Sequence, residues 1–443
     1  LVYGGRDEDR IFFQNVVNLG DVSGKICVGG LLVFHRHSEE IIYYEFNIGN
    51  GYNAGKVSGD SLVGALFPIA PKLLDRLNLS ILHLYDLNGE HADSVHFYAD
   101  SMGAHFFPDS GTALVNRGYP LLAYYNMDKL FDYGSGTKEN PYLIKSLGDL
   151  RRFERHAAIV IDSTLELRYF RQDADIELPK AVNNWTPVDG WAISYDGNGH
   201  SISNLNIHQD VNVDSLFDEP EDDVMFYYNV TNKNALPPIG FFSNLSRSEI
   251  RSLTLHKVDI VGEKSVGALW SGQGNFNDIS NITVDGSVSG VTAVCGVAPY
   301  MSGTMFNVTN YADVKGIRNI CGVTSGDVFY ARNYGNVTGK SSVGGISFSL
   351  YSNDIKYVYN RGTVSGDRIV GGLVAGTVGG VGKLSHGYNA SVVTGDEYVG
   401  AIIGKPQKKD TIHGPLFYDN SLTSVPALGF DTLVVFDSIA GMD

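Results

Sequence analysis

The chain has 443 residues, 43% of them apolar, with 52 glycines against 14 prolines; this excludes a collagen or a proline-rich disordered chain and supplies side chains for a large core. Its 33 Lys and Arg against 49 Asp and Glu leave a net charge of −16, which argues against a nucleic acid or an anionic membrane surface as partner, because both require a basic face. No apolar run reaches the roughly 18 residues of a spanning helix, and three cysteines without a C-x-x-C spacing make neither a disulfide framework nor a zinc or redox motif.

Residues 1–127 carry two copies of a short pattern. Val22 is followed by Gly24 and then Val28; Val57 is followed by Gly59 and then Val63. The aromatic run Tyr43-Tyr44-x-Phe46 lies between the copies, and the region ends on Asn116-Arg-Gly-Tyr-Pro120. Residues 128–135 read as a linker.

A different block opens at 136. Ser146 is placed to cap a short helix, with Asp149 reciprocating three residues on. Leu147, Leu150 and Phe153 would share one face of that helix, which can cover an open end. Further on, Asp173, Asp175 and Glu177 alternate, so a strand would set them on one side. The turn Asp196-Gly-Asn-Gly-His200 leads into Ile202, Leu205 and Ile207. The three tryptophans are Trp185, Trp191 and Trp270.

Residues 208–239 interrupt the pattern as an acidic insertion with Asp210, Asp214, Asp218, Glu219, Glu221, Asp222 and Asp223, followed by Phe226-Tyr227-Tyr228. Oxygen ligands at this density, Asp218, Glu219, Glu221, Asp222 and Asp223 above all, make calcium a candidate. The spacing matches no defined calcium loop, and a solvated acidic face is the favoured reading.

From 240 to 405 the short pattern returns at steps of 28, 26, 23, 27 and 29 residues. Its first aliphatics are Ile260, Val288, Val314, Val337, Val364 and Val393; the glycines two positions on are Gly262, Gly290, Gly316, Gly339, Gly366 and Gly395. Six positions after each first aliphatic come Val266, Val294, Ile320, Val343, Val370 and Val399. Fixed strands with elastic turns explain a step that varies by a few residues. The fold predicted is all-β, a parallel β-helix with one coil per repeat and aliphatic columns inside. The repeat glycines are expected at turns that require positive φ. Residues 406–443 form a terminal segment.

Two further columns follow. Asn18, Asn53, Asn310, Asn333, Asn360 and Asn389 precede the pattern by four residues, so stacked amides bonding along the axis are expected. Cys295 and Cys321 take the same repeat position in consecutive coils; a redox pair or metal ligand is open, and two buried thiols in an aliphatic stack is favoured.

At this point the residues resemble a known family. Asn333-Tyr-Gly-Asn-Val-Thr-Gly-Lys-Ser-Ser-Val-Gly-Gly345 and Asn360-Arg-Gly-Thr-Val-Ser-Gly-Asp-Arg-Ile-Val-Gly-Gly-Leu-Val374 resemble the GLUG motif of bacterial surface proteins. Gly136-Thr137, Asn140-Pro141-Tyr142-x-Ile144, Asp175-Ile176, Trp185-x-Pro187 and Tyr195 to Leu205 resemble that family's domain opening and first coils. The resemblance, with the crossover rule, implies a right-handed β-helix. It also implies two units in tandem, the first (1–127) the C-terminal part of one β-helix and the second (136–443) carrying the capping helix. The chain thus reads as part of a longer polypeptide. Such modules also sit beside the catalytic domain of some IgA-cleaving peptidases, but no H-E-x-x-H zinc motif occurs here, so that activity is not carried over.

The expected function is that of a non-enzymatic secreted or cell-surface bacterial adhesin or display stalk, needing no cofactor, whose partner is a glycan or a host or cell-surface protein. Exposed aromatics are the binding candidates, with Tyr43, Tyr44, Tyr227, Tyr228 and Trp270 singled out, while most strand aromatics are expected to point inward. The alternatives are a carbohydrate-active enzyme, with Asp173, Asp175, Glu177 and His200 as candidate groups, and a pure scaffold for an active domain elsewhere.

Overall fold

The fold is taken from a computed structural model. In residues 1–130 it describes Arg10–Asn18, Val22–Ser23, Ile26–Gly29, Glu45–Asn53, 56–58, Ser61–Gly64, Asn78–Asp86, Phe106–Phe107 and Leu121–Leu122. From 131 it describes all but 132, 157–166, 227–236, 273–276, 378–381, 407–410, 413, 431–438 and 443. The chain divides into two compact units, Leu1–Leu130 and Phe131–Asp443.

In the first unit, Arg10–Asn18, Glu45–Asn53 and Asn78–Asp86 pair in parallel, and Asn18 lies opposite Asn53. Val22 lies opposite Val57, and Val28 opposite Val63. The two copies of the pattern are therefore neighbouring layers, as their spacing predicts. Gly24 and Gly59 lie outside the described residues.

The second unit is a parallel β-solenoid, and the described strands make about nine turns. Ile207, Ile260, Val288, Val314, Val337, Val364 and Val393 fall in one register column. Val266, Val294, Ile320, Val343, Val370 and Val399 fall in another. Nearly all are shut off from solvent, and each column continues at the coil spacing of about 4.8 Å. The terminal segment extends the stack: Leu416–Asp419 pairs with Lys383–Asn389 on one side and Ile439–Met442 on the other.

The glycine expectation is corrected. Gly262, Gly290, Gly316, Gly339, Gly366 and Gly395 do not have positive φ. They are small because the layers touch there: a Cβ on Gly290 would lie 2.7 Å from the Gly262 carbonyl oxygen and 2.8 Å from the Val266 side chain. Positive φ falls instead on Ser265, Ala293, Asn319, Ser342, Ile369 and Tyr398, each immediately before the second aliphatic. A second left-handed column runs through Ser252, Asn281, Asn307, Tyr330, Tyr357 and His386. Non-glycine residues hold this conformation at a cost of order 1 kcal/mol each, sustained by identical layers above and below.

The asparagine column forms as expected. Asn310 Nδ2 donates to Asn333 Oδ1 at 2.8 Å, Asn333 Nδ2 to Asn360 Oδ1 at 2.8 Å, and Asn360 Nδ2 to Asn389 Oδ1 at 2.9 Å. Three of these amides also donate to a carbonyl two residues on, at 2.8–3.0 Å. All four are fully buried, so the ladder replaces lost water with a continuous set of bonds.

The cysteine reading is corrected too. Cys295 and Cys321 are joined in a disulfide, with Cα atoms 4.5 Å apart. They lie in direct register between adjacent coils, where neighbouring coils carry Gly267, Gly344, Gly371 and Gly400.

The opening block is built differently. Helix α1 (Leu147–His156) is capped as predicted: Asp149 N–H donates to Ser146 Oγ at 3.2 Å, and Ser146 Oγ donates to the Asp149 carboxylate at 2.8 Å. Leu150 and Phe153 are fully buried. Phe153 meets Phe170, Tyr195 and Phe242 with ring centroids 5.0, 4.9 and 6.1 Å away. Phe131, assigned from sequence to the linker, stacks on Tyr142 at 4.8 Å and belongs to this core.

Candidate functional site

The feature of the second unit that faces solvent most distinctively is a pair of aromatic rows. Residues in a left-handed conformation at Tyr330 and Tyr357 let two successive side chains face outward, as at Lys356 and Tyr357, before Val358 returns to the interior. Tyr330 and Tyr357 stack at 4.7 Å with 10° between planes; Phe306 packs on Tyr330 at 5.1 Å and His386 on Tyr357 at 4.8 Å. Alongside runs a second row. Tyr311 stacks on Tyr334 at 4.9 Å, Tyr334 meets Tyr359 at 5.9 Å, and Tyr359 meets Tyr388 at 5.7 Å. Phe306, Tyr311, Tyr330 and Tyr357 are 48%, 52%, 42% and 45% exposed, although the rings touch.

That geometry sets what the rows can do. Tyr330 and Tyr357 spend ring faces on their neighbours, so a sugar cannot lie flat on them as it can on an isolated ring. Solvent meets ring edges and phenol hydroxyls, one set per coil. Burial, with Asp419 and Tyr359 nearby, pushes the Tyr388 hydroxyl above its ordinary pKa, so it remains a donor at neutral pH. Cations border the rows: Arg332 donates to Asn307 Oδ1 at 3.0 Å, and the Lys356 ammonium lies 5.4 Å from the Phe329 ring centre.

The aromatic residues singled out from sequence are not these. Tyr43, Tyr44, Tyr227 and Tyr228 lie outside the described residues. Trp270 is fully buried, so it offers no surface for a ligand; it sits opposite Phe242, where the layers pair. The expectation that most strand aromatics point inward holds for the opening block and fails for the repeat coils. The signal that finds the rows is spacing: Tyr330 and Tyr357 are 27 residues apart, and Tyr359 and Tyr388 are 29 apart, the same steps as the valines.

The acidic candidates each have a local partner. Asp173 accepts from Arg171 at 2.8 Å, and that bond holds its carboxyl below the usual range. Asp175 accepts from the Ser201 backbone N–H at 2.8 Å, which lowers its pKa likewise, and lies 3.3 Å from His200 Nδ1. Glu177 accepts from Asn204 at 2.8 Å. A glycosidase acid needs a raised pKa, and here the shifts of Asp173 and Asp175 run the other way. Ser201, His200 and Asp175 are close together, but Ser201 Oγ donates to Asp175 at 3.2 Å and not to the imidazole, so these three do not form the serine–histidine pair of a nucleophilic site.

The described part of the acidic insertion that carries its carboxylates, 208–226, is a docked strap. It folds into helices α2 (Val213–Leu216) and α3 (Glu221–Phe226). Val224 and Met225 cover Val291 and Ile317 on the coil flank. Asp214 pairs with Lys315 at 2.5 Å, Glu221 and Asp222 pair with Arg318, and Lys340 donates to the Glu219 carbonyl oxygen. Protein cations thus engage Glu221 and Asp222, and among the described residues no three His, Cys, Asp or Glu side chains gather as a metal site would require.

No protein family's model matches the chain. Over 176 residues it is 27% identical to Halomucin of Haloquadratum walsbyi (strain DSM 16790 / HBSQ001), a match that takes in 37% of this chain and spans 2% of that protein. Among solved structures it is similar to a Bacteroides ovatus protein provisionally designated an immunoglobulin A1 protease, at 16% identity and a TM-score of 0.44, over 70% of this chain and 86% of that one. The solenoid assignment rests on this chain's own strand register. Among the described residues no helix is long and apolar enough to cross a membrane.

Proposed function

We propose that the second unit is a non-catalytic binding module of a secreted or cell-surface protein, an adhesin or display stalk that holds an extended glycan along its tyrosine rows. The observation that carries the reading is the coil-by-coil repetition of exposed and half-buried surface aromatics from Phe306 to Tyr388. An extended polysaccharide repeats its hydroxyls once per sugar ring, a length comparable to one coil, so each coil can offer one sugar a phenol hydroxyl and a ring edge. Single contacts of this kind contribute about 0.5–1.5 kcal/mol; the repeat sums them. The Cys295–Cys321 disulfide supports an oxidising compartment, and the net charge of −16 keeps such a surface soluble. Neighbouring coils locked by main-chain bonds and inner columns give the stiffness that a stalk requires.

The test is a series of oligosaccharides of rising length, titrated against the protein and its Tyr330→Ala/Tyr357→Ala variant. Affinity should climb with each added sugar until about four coils are spanned, and the variant should lose about tenfold or more. A length-independent affinity, or an unchanged variant, would sink the reading. New reducing ends or unsaturated products would establish an enzyme instead, and no binding at all would favour a scaffold.

A further inference from the structure

The first coils of the second unit, before the tyrosine rows begin, form an open cleft of about 280 Å³. Lys180, Val182, Asn204, Asn206, Lys257 and Asp259 line it. Its polar groups are divided in a particular way. Most amide donors there are already used: Asn204 Nδ2 donates to Glu177 at 2.8 Å and to the Leu178 carbonyl at 3.3 Å, and Asn206 Nδ2 spends one of its two N–H groups on Asp259 at 3.0 Å. What remains there is mainly acceptor capacity: all of Asn204 Oδ1, and the last of the Asp259 carboxylate, which already takes Asn206 and Ser287 Oγ at 3.2 Å and lies 3.1 Å from His208 Nε2. At the rim stand two exposed lysines, Lys180 and Lys257, whose ammonium groups have no bonded partner among the described residues. Val182, 63% exposed, supplies an apolar lip.

A ligand that satisfies this set must bring hydroxyl donors for the acceptors and a negative charge for the rim. A neutral sugar leaves both ammonium groups unpaired. A simple anion leaves Asn204 Oδ1 without a donor and is repelled by Asp259. A sugar acid supplies both from one ring, its carboxylate to Lys180 and Lys257 and its hydroxyls to Asn204 and Asp259. The volume lies just below the roughly 300–1,000 Å³ of clefts that enclose drug-sized ligands, which suits one such ring. We infer that this cleft binds a carboxylate-bearing sugar unit, a second site that does not depend on the tyrosine rows.

The experiment is titration calorimetry at low ionic strength with galacturonate, galactose and inorganic phosphate, and with an oligogalacturonate to separate a free sugar acid from a unit within a chain. Galacturonate should bind, galactose should be weaker by about tenfold, and Lys180→Gln and Lys257→Gln should each weaken galacturonate by about tenfold, as expected for charge-assisted hydrogen bonds. Both lysines are exposed, so an unchanged thermal midpoint will show that the variants fold. Tyr330→Ala/Tyr357→Ala should leave galacturonate binding intact, which separates failure of this site from failure of the rows. Equal binding of galactose, displacement of galacturonate by phosphate, unchanged affinity in the doubled lysine variant, or no galacturonate binding at millimolar concentration would each overturn the inference.

Discussion

The opening block and the repeat coils place the same residue class on opposite sides of the wall. In the opening block and the coil that follows the insertion, Phe131, Tyr142, Phe153, Phe170, Trp185, Tyr195, Phe241, Phe242 and Trp270 fill the interior, none more than 3% exposed. In the later repeat coils the interior is mostly Val, Ile, Leu, Ala and Asn, with Phe348 the buried ring, and tyrosines stand outside. A coil inside a stack must match the layer on either side at about 4.8 Å, so its contents are branched aliphatics and an amide that bonds to its own copies. In the first layers of the second unit, large rings at mixed angles and helix α1 fill the interior in place of such columns. Expelled from the coils, the aromatics become available for binding.

The sharpest way to break this contrast is at two glycines, one in each region, that are required for different reasons. Gly345 is a matter of space: a Cβ there would meet the Gly372 carbonyl oxygen at 2.2 Å and Asn360 Cγ at 2.6 Å. Gly345→Ala should cost more than about 4 kcal/mol or prevent folding. Gly199, in the opening block, has φ of +81°, and a Cβ there would meet nothing within 4 Å. Gly199→Ala should therefore cost only the backbone preference, about 1–2 kcal/mol. Urea midpoints of the two variants decide the matter; similar losses would mean that the layers do not touch as described.

Asn333 is the next test. It accepts from Asn310 and donates to Asn360 and to the Gly335 carbonyl, all at 2.8 Å. Asn333→Ala removes all three bonds inside a fully buried column and orphans its partners, so a loss of about 3–5 kcal/mol is expected. Phe153→Ala should cost a comparable 3–5 kcal/mol by leaving a cavity, about what such truncations cost elsewhere. The difference is in kind: in the coil an isosteric apolar residue cannot rescue the loss, whereas Phe153→Leu should recover much of it.

These residues also show how much of the molecule is legible in its sequence. The valine, glycine and asparagine columns are legible because a stacked fold writes each layer's requirement into the sequence at every step. The tyrosine rows obey the same spacing, and they escape a reading guided by the density of aromatics instead of their recurrence. The strap is not legible: Lys315 and Arg318 meet Asp214 and Glu221 across about a hundred residues, and nothing local marks the pairing. Nor is the glycine role, since close approach and positive φ select the same residue. The cleft between Lys180 and Lys257 depends on which amide donors are already spent, a fact that only the packed coils reveal.

A smaller loss than at Gly345 or Asn333 is expected at the disulfide. Cys295 and Cys321 are 26 residues apart, and closing a loop of that size stabilises a fold by about 2–4 kcal/mol, mainly through the unfolded chain. Alanine can be tested in both places, since adjacent coils manage with glycine there; Cys295→Ala/Cys321→Ala should lose that amount and keep the register. Both cysteines are shut off from solvent with Phe348 packed against them. A thiol reductant should therefore leave the native protein oxidised and act only as denaturant opens these coils. Alkylation followed by mass spectrometry gives the readout: without denaturant and reductant together, Cys295 and Cys321 should remain unmodified. If both are alkylated in the denatured, unreduced protein purified from an oxidising compartment, the coils are held only by their columns, and the support for an extracellular setting goes with the bond. If they resist, the repeat region carries a covalent tie between layers where the opening block relies on packed rings and a capped helix.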